Sequence, residues 1–225
     1  MTINLYYYII ITLGTYKKNG DFLAHYFTND ENIKSELRTI HYQNGDFLLS
    51  FHSDNGVFSK NHVDYGSKLL VENLIKEHPI NKKVLDVGCG YGFIGITLAK
   101  ILDADVTMID VNKRALHLAQ MNEKENKVNV TVLESNVYEN VNEIYDLIVS
   151  NPPIRAGKKI VLEILEGAKQ HLNKDGQLWF VMRKDQGAKS IFSTLQTQYE
   201  IEILDKSKGF YIFKAKNVDI KESSW

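Results

Sequence analysis

Residues 84–95 read Val-Leu-Asp-Val-Gly-Cys-Gly-Tyr-Gly-Phe-Ile-Gly, a short apolar run that ends in an acidic residue and enters a glycine-rich loop. The run predicts a buried strand, and the residues after the loop have the apolar spacing of a helix. Because glycine has no Cβ, a ligand can approach such a loop closely, and the free N–H groups at the helix start favour binding there. The stretch therefore predicts a site for either a dinucleotide or a sulfonium nucleoside.

Asp86 helps to choose between these two ligand classes. The spacing Gly90-x-Gly92-x-x-Gly95 matches the dinucleotide fingerprint, which is a weak motif when it stands alone. Asp86, two residues before the first glycine, would repel a pyrophosphate and attract a cationic amino group or a sulfonium. Asp110 ends the next predicted strand, where an acid can hold ribose hydroxyls in both classes or else cap the following helix. A nicotinamide-dependent oxidoreductase is thus the disfavoured alternative.

Length and composition fit one α/β domain with a small appendage. The 225 residues are 44% apolar and 24% charged, which is ordinary for a globular protein. The single cysteine, Cys89, excludes a disulfide framework and predicts a cytoplasmic location, and the seven histidines have no ligand spacing, so no metal is expected. Residues 1–150 carry 14 Lys and Arg against 19 Asp and Glu, whereas residues 151–225 carry 13 against 9. This asymmetry permits a basic face on the second half.

Strand and helix patterns alternate regularly along most of the chain. Strands are predicted at 82–87, 104–110, 128–134, 144–150, 176–182, 200–206 and 210–216, and helices at 64–78, 91–102, 112–126, 157–173 and 186–198. This alternation predicts a doubly wound sheet of parallel strands. The turn between the last two strands is so short that one of them must run antiparallel.

The chain before the sheet is predicted to form two further segments. Residues 1–22 contain an apolar run that is too short to span a bilayer and lacks a signal peptide's basic residues. We expect this segment to be a non-functional extension and no part of the protein to enter a membrane. Residues 23–60 contain two strand patterns on either side of Gln43-Asn44-Gly45, which predicts a β-hairpin. The main domain is expected over residues 61–225.

A second motif follows the predicted strand at 144–150. Asn151-Pro152-Pro153-Ile154 places two prolines after a buried strand, which fixes a rigid, extended backbone. In doubly wound sheets ligands bind beyond the carboxyl ends of the strands, where this motif is expected. A strand-ending turn would explain an isolated Asn-Pro, but the coupling to Asp86 and to the glycine loop predicts a reaction site.

Together these motifs resemble those of class I AdoMet-dependent methyltransferases that act on planar amino nitrogens. The stretches Asp-Asn-Gly-Val-Phe-Ser at 54–59 and Asp-x-Gly-Ser-x-Leu-Leu at 64–70 are similar to the small-domain methyltransferase family, typified by RsmC-like 16S ribosomal RNA guanine-N2 methyltransferases. The resemblance covers roughly residues 24–216. It implies a Rossmann-like sheet of seven strands in the order 3-2-1-4-5-7-6, with strand 7 antiparallel.

The same resemblance implies S-adenosyl-L-methionine as cofactor and assigns residues to it. Asp86 and Gly88 would face its methionine part, Asp110 its ribose and Asn136 its adenine, while Phe58 would help to close the pocket. The full set expected to bind the cofactor is Phe58, Asp86, Gly88, Gly90, Gly92, Asp110, Val111, Asn136, Val137 and Asn151.

The resemblance also implies methylation of an exocyclic base amine, most directly guanine N2 of ribosomal RNA in the small subunit. The Asn151 oxygen and the Pro152 carbonyl would accept the amine hydrogens, and Pro153 and Ile154 would complete the catalytic loop. Arg155, Lys158 and Lys159, which follow directly, are predicted to contact phosphates or else to begin a solvated helix.

Two departures from the family leave other acceptors open. Relatives usually carry an aromatic residue where this chain has Ile154, and longer relatives have a second domain in front, so recognition is built differently here or shared in a homodimer. A protein glutamine amide or a small-molecule amine is the alternative acceptor. A non-catalytic AdoMet-binding or RNA-binding module is the other alternative.

Overall fold

A seven-stranded sheet and a separate two-stranded hairpin organise the chain. The computed structural model describes residues 32–78 and 83–217, so the extension predicted over 1–22 lies outside the described residues. The hairpin strands are β1 (Arg38–Asn44) and β2 (Phe47–Ser53). The sheet strands are β3 (Lys83–Val87), β4 (Asp105–Asp110), β5 (Thr131–Glu134), β6 (Tyr145–Ser150), β7 (Leu172–Arg183), β8 (Tyr199–Ser207) and β9 (Phe210–Asn217). The helices are α1 (Tyr65–Glu77), α2 (Phe93–Leu102), α3 (Lys113–Asn126), α4 (Lys158–Gly167) and α5 (Ala188–Leu195).

The strand order confirms the predicted topology. Along the sheet the order is β5-β4-β3-β6-β7-β9-β8, and β9 runs antiparallel to both of its neighbours while the other pairs are parallel. Counting from β3 as the first strand gives 3-2-1-4-5-7-6. The direction of winding reverses between β3 and β6, which opens a crevice at their carboxyl ends.

Two apolar cores cover the two faces of the sheet. Core 1 lies under α1, α2, α3 and the hairpin, whereas core 2 lies under α4 and α5. The alternation along β6 shows the division, because Leu147 and Val149 belong to core 1 and Ile148 belongs to core 2. The side chains of residues that follow a strand can therefore contact the helices on one face of the sheet or those on the other face.

The hairpin is fastened to α3 by two asparagines one helical turn apart. The Asn122 Oδ1 accepts the His52 N–H at 2.6 Å, and the Asn122 Nδ2 donates to the carbonyls of His52 at 2.9 Å and Tyr91 at 2.8 Å. Asn126 repeats the pattern with both backbone groups of Ser50 at 3.0 and 2.8 Å. The two side chains therefore pair with the edge of β2 as a neighbouring strand would.

Replacing Asn122 by alanine should lower the free energy of unfolding by roughly 3 kcal/mol, because it leaves the buried Tyr91 carbonyl and both backbone groups of half-buried His52 without this partner. Asn122 is fully buried. Urea unfolding measures the change, and Gln120→Ala, at an exposed position of the same helix, is the matched control. A loss no larger than that of the control would contradict this account of the hairpin's attachment.

Several element boundaries differ from the predicted ones. The hairpin turn consists of Gly45 and Asp46, not of Gln43-Asn44-Gly45, because Asn44 pairs with Phe47 and Gly45 adopts the positive φ of 54° that the turn requires. The helix predicted at 157–173 stops at 167 and continues as a 3-10 turn over Ala168–His171, since β7 already begins to pair at residue 172. Within the described ranges no helix has the length and apolar character to cross a membrane.

Candidate active site

Four neighbouring parallel strands bring the predicted site residues to one edge of the sheet. Asp86 lies next to the end of β3, Asp110 ends β4, Asn136 follows β5 and Asn151 follows β6. Because these strands are adjacent in the order β5-β4-β3-β6, the four side chains form a row along the carboxyl edge. This is the crevice where doubly wound sheets bind ligands.

The glycine loop is tied to β4 and leaves open space on its outer side. The N–H groups of Gly88 and Cys89 both donate to the Ile109 carbonyl at 2.9 Å, and the Gly90 N–H donates to the Asp110 Oδ2 at 2.8 Å. Gly88 and Gly90 have φ values of 73° and 56°, and a Cβ at either position would meet no heavy atom within 4 Å. The backbone is therefore bare where a ligand would lie against it.

Gly92 and Gly95 have a different reason to lack side chains. A Cβ at Gly92 would come within 2.8 Å of the Ile96 Cδ1, and one at Gly95 within 2.6 Å of the Met108 Sδ. Gly95 thus allows α2 to pack closely on β4, whereas Gly92, which has a φ of 90°, leaves room for the Ile96 side chain of its own helix. Of the three glycines that match the dinucleotide fingerprint, Gly92 and Gly95 therefore have a steric role within the fold, whereas Gly90 faces the open side together with Gly88.

Asp86 is a buried carboxyl with one unused oxygen. Its Oδ2 accepts the Gly95 N–H at 2.9 Å, and its Oδ1 has no hydrogen-bond partner among the described residues. Burial raises the pKa of Asp86 to about 7, the Gly95 hydrogen bond lowers it, and Asp110 adds a smaller upward effect. A buried carboxyl without a counter-charge is a site prepared for a cationic group.

Asp110 holds the glycine loop and the start of α3 together. Its Oδ1 accepts the Asn112 N–H at 2.8 Å, while its other oxygen, Oδ2, accepts the Gly90 N–H. Burial raises the pKa of Asp110, against the lowering effect of these N–H donors. The alternative role of Asp110 as the cap of the next helix is wrong, because Asn112 is the N-cap and accepts the N–H groups of Arg114 and Ala115.

The turn after β5 is fixed by Ser135. Its hydroxyl donates to the Val137 carbonyl at 2.8 Å and accepts the Asn140 N–H at 3.1 Å. Val137 has a positive φ of 50° and packs against core 2, whereas the Asn136 side chain is exposed. Asn136 therefore projects from a rigid turn at the end of the row.

The segment before α1 is anchored beside Asp110 by residues that the sequence patterns did not single out. The Asn112 Nδ2 donates to the Gly56 carbonyl at 3.0 Å, and the Arg114 guanidinium donates to the Asn55 carbonyl at 3.1 Å and lies 3.5 Å from the Asp54 carboxylate. These contacts place residues 54–59 over the start of α3, next to half-buried Val111. Phe58 in this segment remains 44% exposed.

Asn151 is held in one orientation by the N-terminus of α1. Its Nδ2 donates to the Asp64 Oδ2 at 2.9 Å and to the Ser67 Oγ at 2.8 Å. Asp64 is the N-cap of α1 and also accepts the Ser67 N–H at 2.8 Å. Because both amide hydrogens are used, the Asn151 Oδ1 is the atom that remains to accept a hydrogen bond.

The motif that begins with Asn151 reaches the other face of the sheet through Ile154. Pro152 is buried, and Ile154 is half-buried, packs against core 2 and lines a cavity of about 310 Å³ with Val161 and Met182. Ile154 therefore belongs to a different helical layer from Asp64 and Ser67. The predicted substrate-binding residues are all exposed: Arg155, Lys158 and Lys159.

The site fits AdoMet. The unpartnered Asp86 oxygen suits a cationic methionine part, and the open space beside Gly88 and Gly90 lets an extended ligand run along the row of strand ends. Burial raises the pKa of the Cys89 thiol, which keeps this loop residue protonated and unreactive. Within the described residues no cluster of three or more His, Cys, Asp and Glu could hold a metal ion.

Comparison with known proteins identifies the family. The family model described as the methyltransferase small domain matches residues 48–214. The uncharacterised protein YbxB of Bacillus subtilis (strain 168) is 43% identical over 199 residues, which cover 86% of this chain and 98% of that protein. Ribosomal RNA small subunit methyltransferase C of Haemophilus influenzae (strain 86-028NP) is 35% identical over 176 residues, which cover 75% of this chain and 52% of that protein.

A solved structure shares the fold. The T. thermophilus 16S rRNA N2 methyltransferase RsmC, solved with AdoMet and guanosine, has a TM-score of 0.73 at 23% identity, covering 82% of this chain and 52% of that one. This chain thus spans about half the length of the RNA methyltransferases that it matches. The predicted family, enzyme class and cofactor are confirmed: the chain belongs to the methyltransferase small-domain family and is an AdoMet-dependent methyltransferase.

Proposed function

We propose that the protein methylates an exocyclic amino group of a nucleobase, with guanine N2 of small-subunit ribosomal RNA as the acceptor. The observation that supports this most is the orientation of Asn151. Its amide nitrogen is bound to Asp64 and Ser67, so its oxygen remains available as a hydrogen-bond acceptor at the end of β6. An acceptor oxygen suits an amine, which brings two N–H donors, and does not suit an acceptor group without hydrogens.

The row of strand ends supplies the residues for the cofactor in this proposal. Asp86 with Gly88 would hold the methionine part of AdoMet, Asp110 with Val111 its ribose, and Asn136 with Val137 its adenine. Gly90 and Gly92 would shape the loop beneath it, and Phe58 would cover it. When bound, AdoMet supplies an electrophilic methyl group.

Asn151 and Pro152 would then prepare the acceptor. The lone pair of a base amine is delocalised into the ring, so the free amine is a weak nucleophile. The Asn151 Oδ1 and the Pro152 carbonyl would each accept a hydrogen bond from one of the two amine N–H groups. These two hydrogen bonds would turn the nitrogen lone pair toward the methyl group. Such placement in near-attack geometry supplies as much as ~7–11 kcal/mol in favourable systems. The rigid Pro152-Pro153 backbone keeps the two oxygens in position, with Ile154 anchoring the loop in core 2.

The relatives support RNA as the acceptor class. A protein named as a ribosomal RNA small subunit methyltransferase is 35% identical over 176 residues, and the structural neighbour acts on 16S rRNA. To test this, undermethylated small ribosomal subunits are incubated with the enzyme and with AdoMet that carries tritium in its methyl group. The labelled subunits are then digested with nuclease or with protease, and the released radioactivity is measured. We expect nuclease to release the label. Release by protease instead would indicate a protein amide acceptor and would contradict the proposal.

Arg155, Lys158 and Lys159 are proposed to contact RNA phosphates beside the catalytic loop. The Lys158 Nζ donates to the Ser190 Oγ at 3.0 Å and Lys159 lies 3.7 Å from Glu163, so both ammonium groups stay at the surface. Replacing all three by alanine should weaken binding to ribosomal RNA and reduce its salt slope by roughly 0.7 for each phosphate that the variant no longer neutralises.

Filter binding over a range of salt concentrations measures this effect. The control replaces three exposed lysines by alanine: Lys76, Lys124 and Lys127. They lie at the C-terminal ends of α1 and α3, whereas the N-terminal ends of these helices face the site. This control removes the same charge from the edge away from the site. An equal loss in both triple variants would show a non-specific charge effect and remove the three residues from the interface.

A further inference from the structure

Two aromatic rings from distant parts of the chain meet beside the catalytic loop. Tyr65 begins α1 and Phe210 begins β9, and their ring centroids lie 5.6 Å apart at 51°. The Tyr65 hydroxyl is fixed by the Ser207 Oγ at 2.8 Å. Both rings are half-buried, so part of each remains accessible to a ligand.

The Asp64 carboxylate links the ring pair to the neighbourhood of Asn151. A Cβ at Gly66 would lie 2.9 Å from the Phe210 Cε1 and 3.1 Å from the Asp64 Oδ2, so the ring and this oxygen border the same glycine. The same Asp64 oxygen accepts the Asn151 amide at 2.9 Å. The rings therefore lie next to the acceptor position but not on it.

Two cations accompany the rings. The Lys208 Nζ lies 4.7 Å from the Tyr65 ring centroid, and the Arg183 guanidinium lies 5.5 Å from that of Phe210. Lys208 is exposed in the β8–β9 turn, so its flexible stem can carry the ammonium group to a neighbouring phosphate. Arg183 is oriented by Asp185 at 3.0 and 3.1 Å, and a guanidinium plane can itself stack on a base.

Such a grouping of aromatic rings and cations is typical of single-stranded nucleic-acid sites. We propose that Tyr65, Phe210, Lys208 and Arg183 form a platform that binds a second base of the RNA strand, from a nucleotide neighbouring the acceptor. The inference rests on the proposed function. It accounts for the absence of an aromatic residue at position 154, because Ile154 packs in core 2 and the stacking surface is supplied from α1 and β9 instead.

The test compares binding of two labelled oligomers to the full chain by fluorescence anisotropy. One is a short mixed-sequence single-stranded RNA, and the other is its abasic ribose-phosphate counterpart. Phe210→Leu and Tyr65→Leu should each weaken binding of the RNA about fivefold or more and leave the abasic oligomer nearly unaffected. Tyr65→Phe, which keeps the ring and removes only the hydrogen bond to Ser207, should bind the RNA as the wild type does.

Tyr211→Leu is the matched control. Tyr211 is the next residue of β9, has the Lys206 Nζ 5.3 Å from its ring centroid, and packs against core 2 on the other face. It should bind the RNA as tightly as the wild type. Thermal unfolding and AdoMet titration show whether each variant is folded. Equal RNA binding by wild type, Phe210→Leu and Tyr65→Leu would overturn the platform.

The outcomes separate this inference from the proposed function. A wild type that methylates RNA, with platform variants that bind it equally well, refutes the platform alone. A wild type that transfers no methyl group to RNA refutes the proposed function and the platform with it. If both hold, the platform variants raise KM for RNA at nearly constant kcat, because they remove binding and leave Asn151 in place.

Discussion

Asn151→Ala is expected to lower kcat for methyl transfer by about 10²–10³-fold, the effect of removing one preorganised polar group from reacting atoms. The side chain is positioned before substrate arrives, since Asp64 and Ser67 already bind its amide nitrogen. In the proposed mechanism its oxygen would therefore act on the amine without reorganisation of the site. Alanine removes that acceptor, whereas Pro152 and Pro153 still fix the backbone of the loop.

The measurement is initial-rate methyl transfer to small ribosomal subunits, with AdoMet affinity by calorimetry as the control for folding. Ser67→Ala removes one of the two partners of the Asn151 amide and should cause a smaller loss, about tenfold, because Asp64 remains. An Asn151→Ala enzyme that works at the full rate would remove the residue from the mechanism. A loss only in AdoMet affinity would reassign it to cofactor binding.

Asp86→Asn should weaken AdoMet binding about 10- to 100-fold at pH near 8, the loss expected for one hydrogen bond to a charged group. The wild-type carboxyl is neutral below its pKa of about 7 and ionised above it. Only the ionised form attracts the cationic ligand, so wild-type affinity should rise with pH through about 7. In Asp86→Asn this rise should be absent.

The same substitution should stabilise the free protein at high pH. The folded-state pKa of about 7 lies above the ordinary value of 3.8, so the folded state holds its proton longer than the unfolded chain does. Stability is therefore lost as pH rises from about 4 to about 7, by on the order of 4 kcal/mol in total. Asparagine carries no charge, so the variant avoids this loss.

Urea unfolding of wild type and Asp86→Asn at pH near 5 and near 8 measures the difference. We expect the variant to gain most at the higher pH. Asp105→Asn, at the exposed start of the neighbouring strand β4, is the matched control and should show no such gain. A stability difference between variant and wild type that is the same at both pH values, together with unchanged AdoMet affinity, would contradict the role given to Asp86.

Residues at strand ends were predictable because local periodicity places them. The apolar runs located Asp86, Asp110 and Asn151 at the ends of three strands, and parallel pairing brings such ends to one edge. The strand order itself came from the family resemblance, since periodicity does not specify which strands pair. The hairpin was also predicted, although its turn is shifted by the pairing of Asn44 with Phe47.

The residues that hold the site in place were not predictable from local patterns. Asn151 meets Asp64 across 87 positions, and Arg114 meets Asn55 across 59. Asn122 reaches His52 across 70 positions. A lone Asp before a helix reads only as an N-cap, and no spacing indicates which distant amide it will orient. These contacts follow from packing of whole helices on the sheet.

In the proposed function the Asn151 oxygen directs methylation to an exocyclic base amine. The most direct test incubates undermethylated small ribosomal subunits with AdoMet and the enzyme, digests the RNA to nucleosides and identifies the product by mass spectrometry. We predict N2-methylguanosine with the wild type and almost none with Asn151→Ala. A methyl group on a ring carbon or a ribose oxygen, or equal product from both enzymes, would contradict the account.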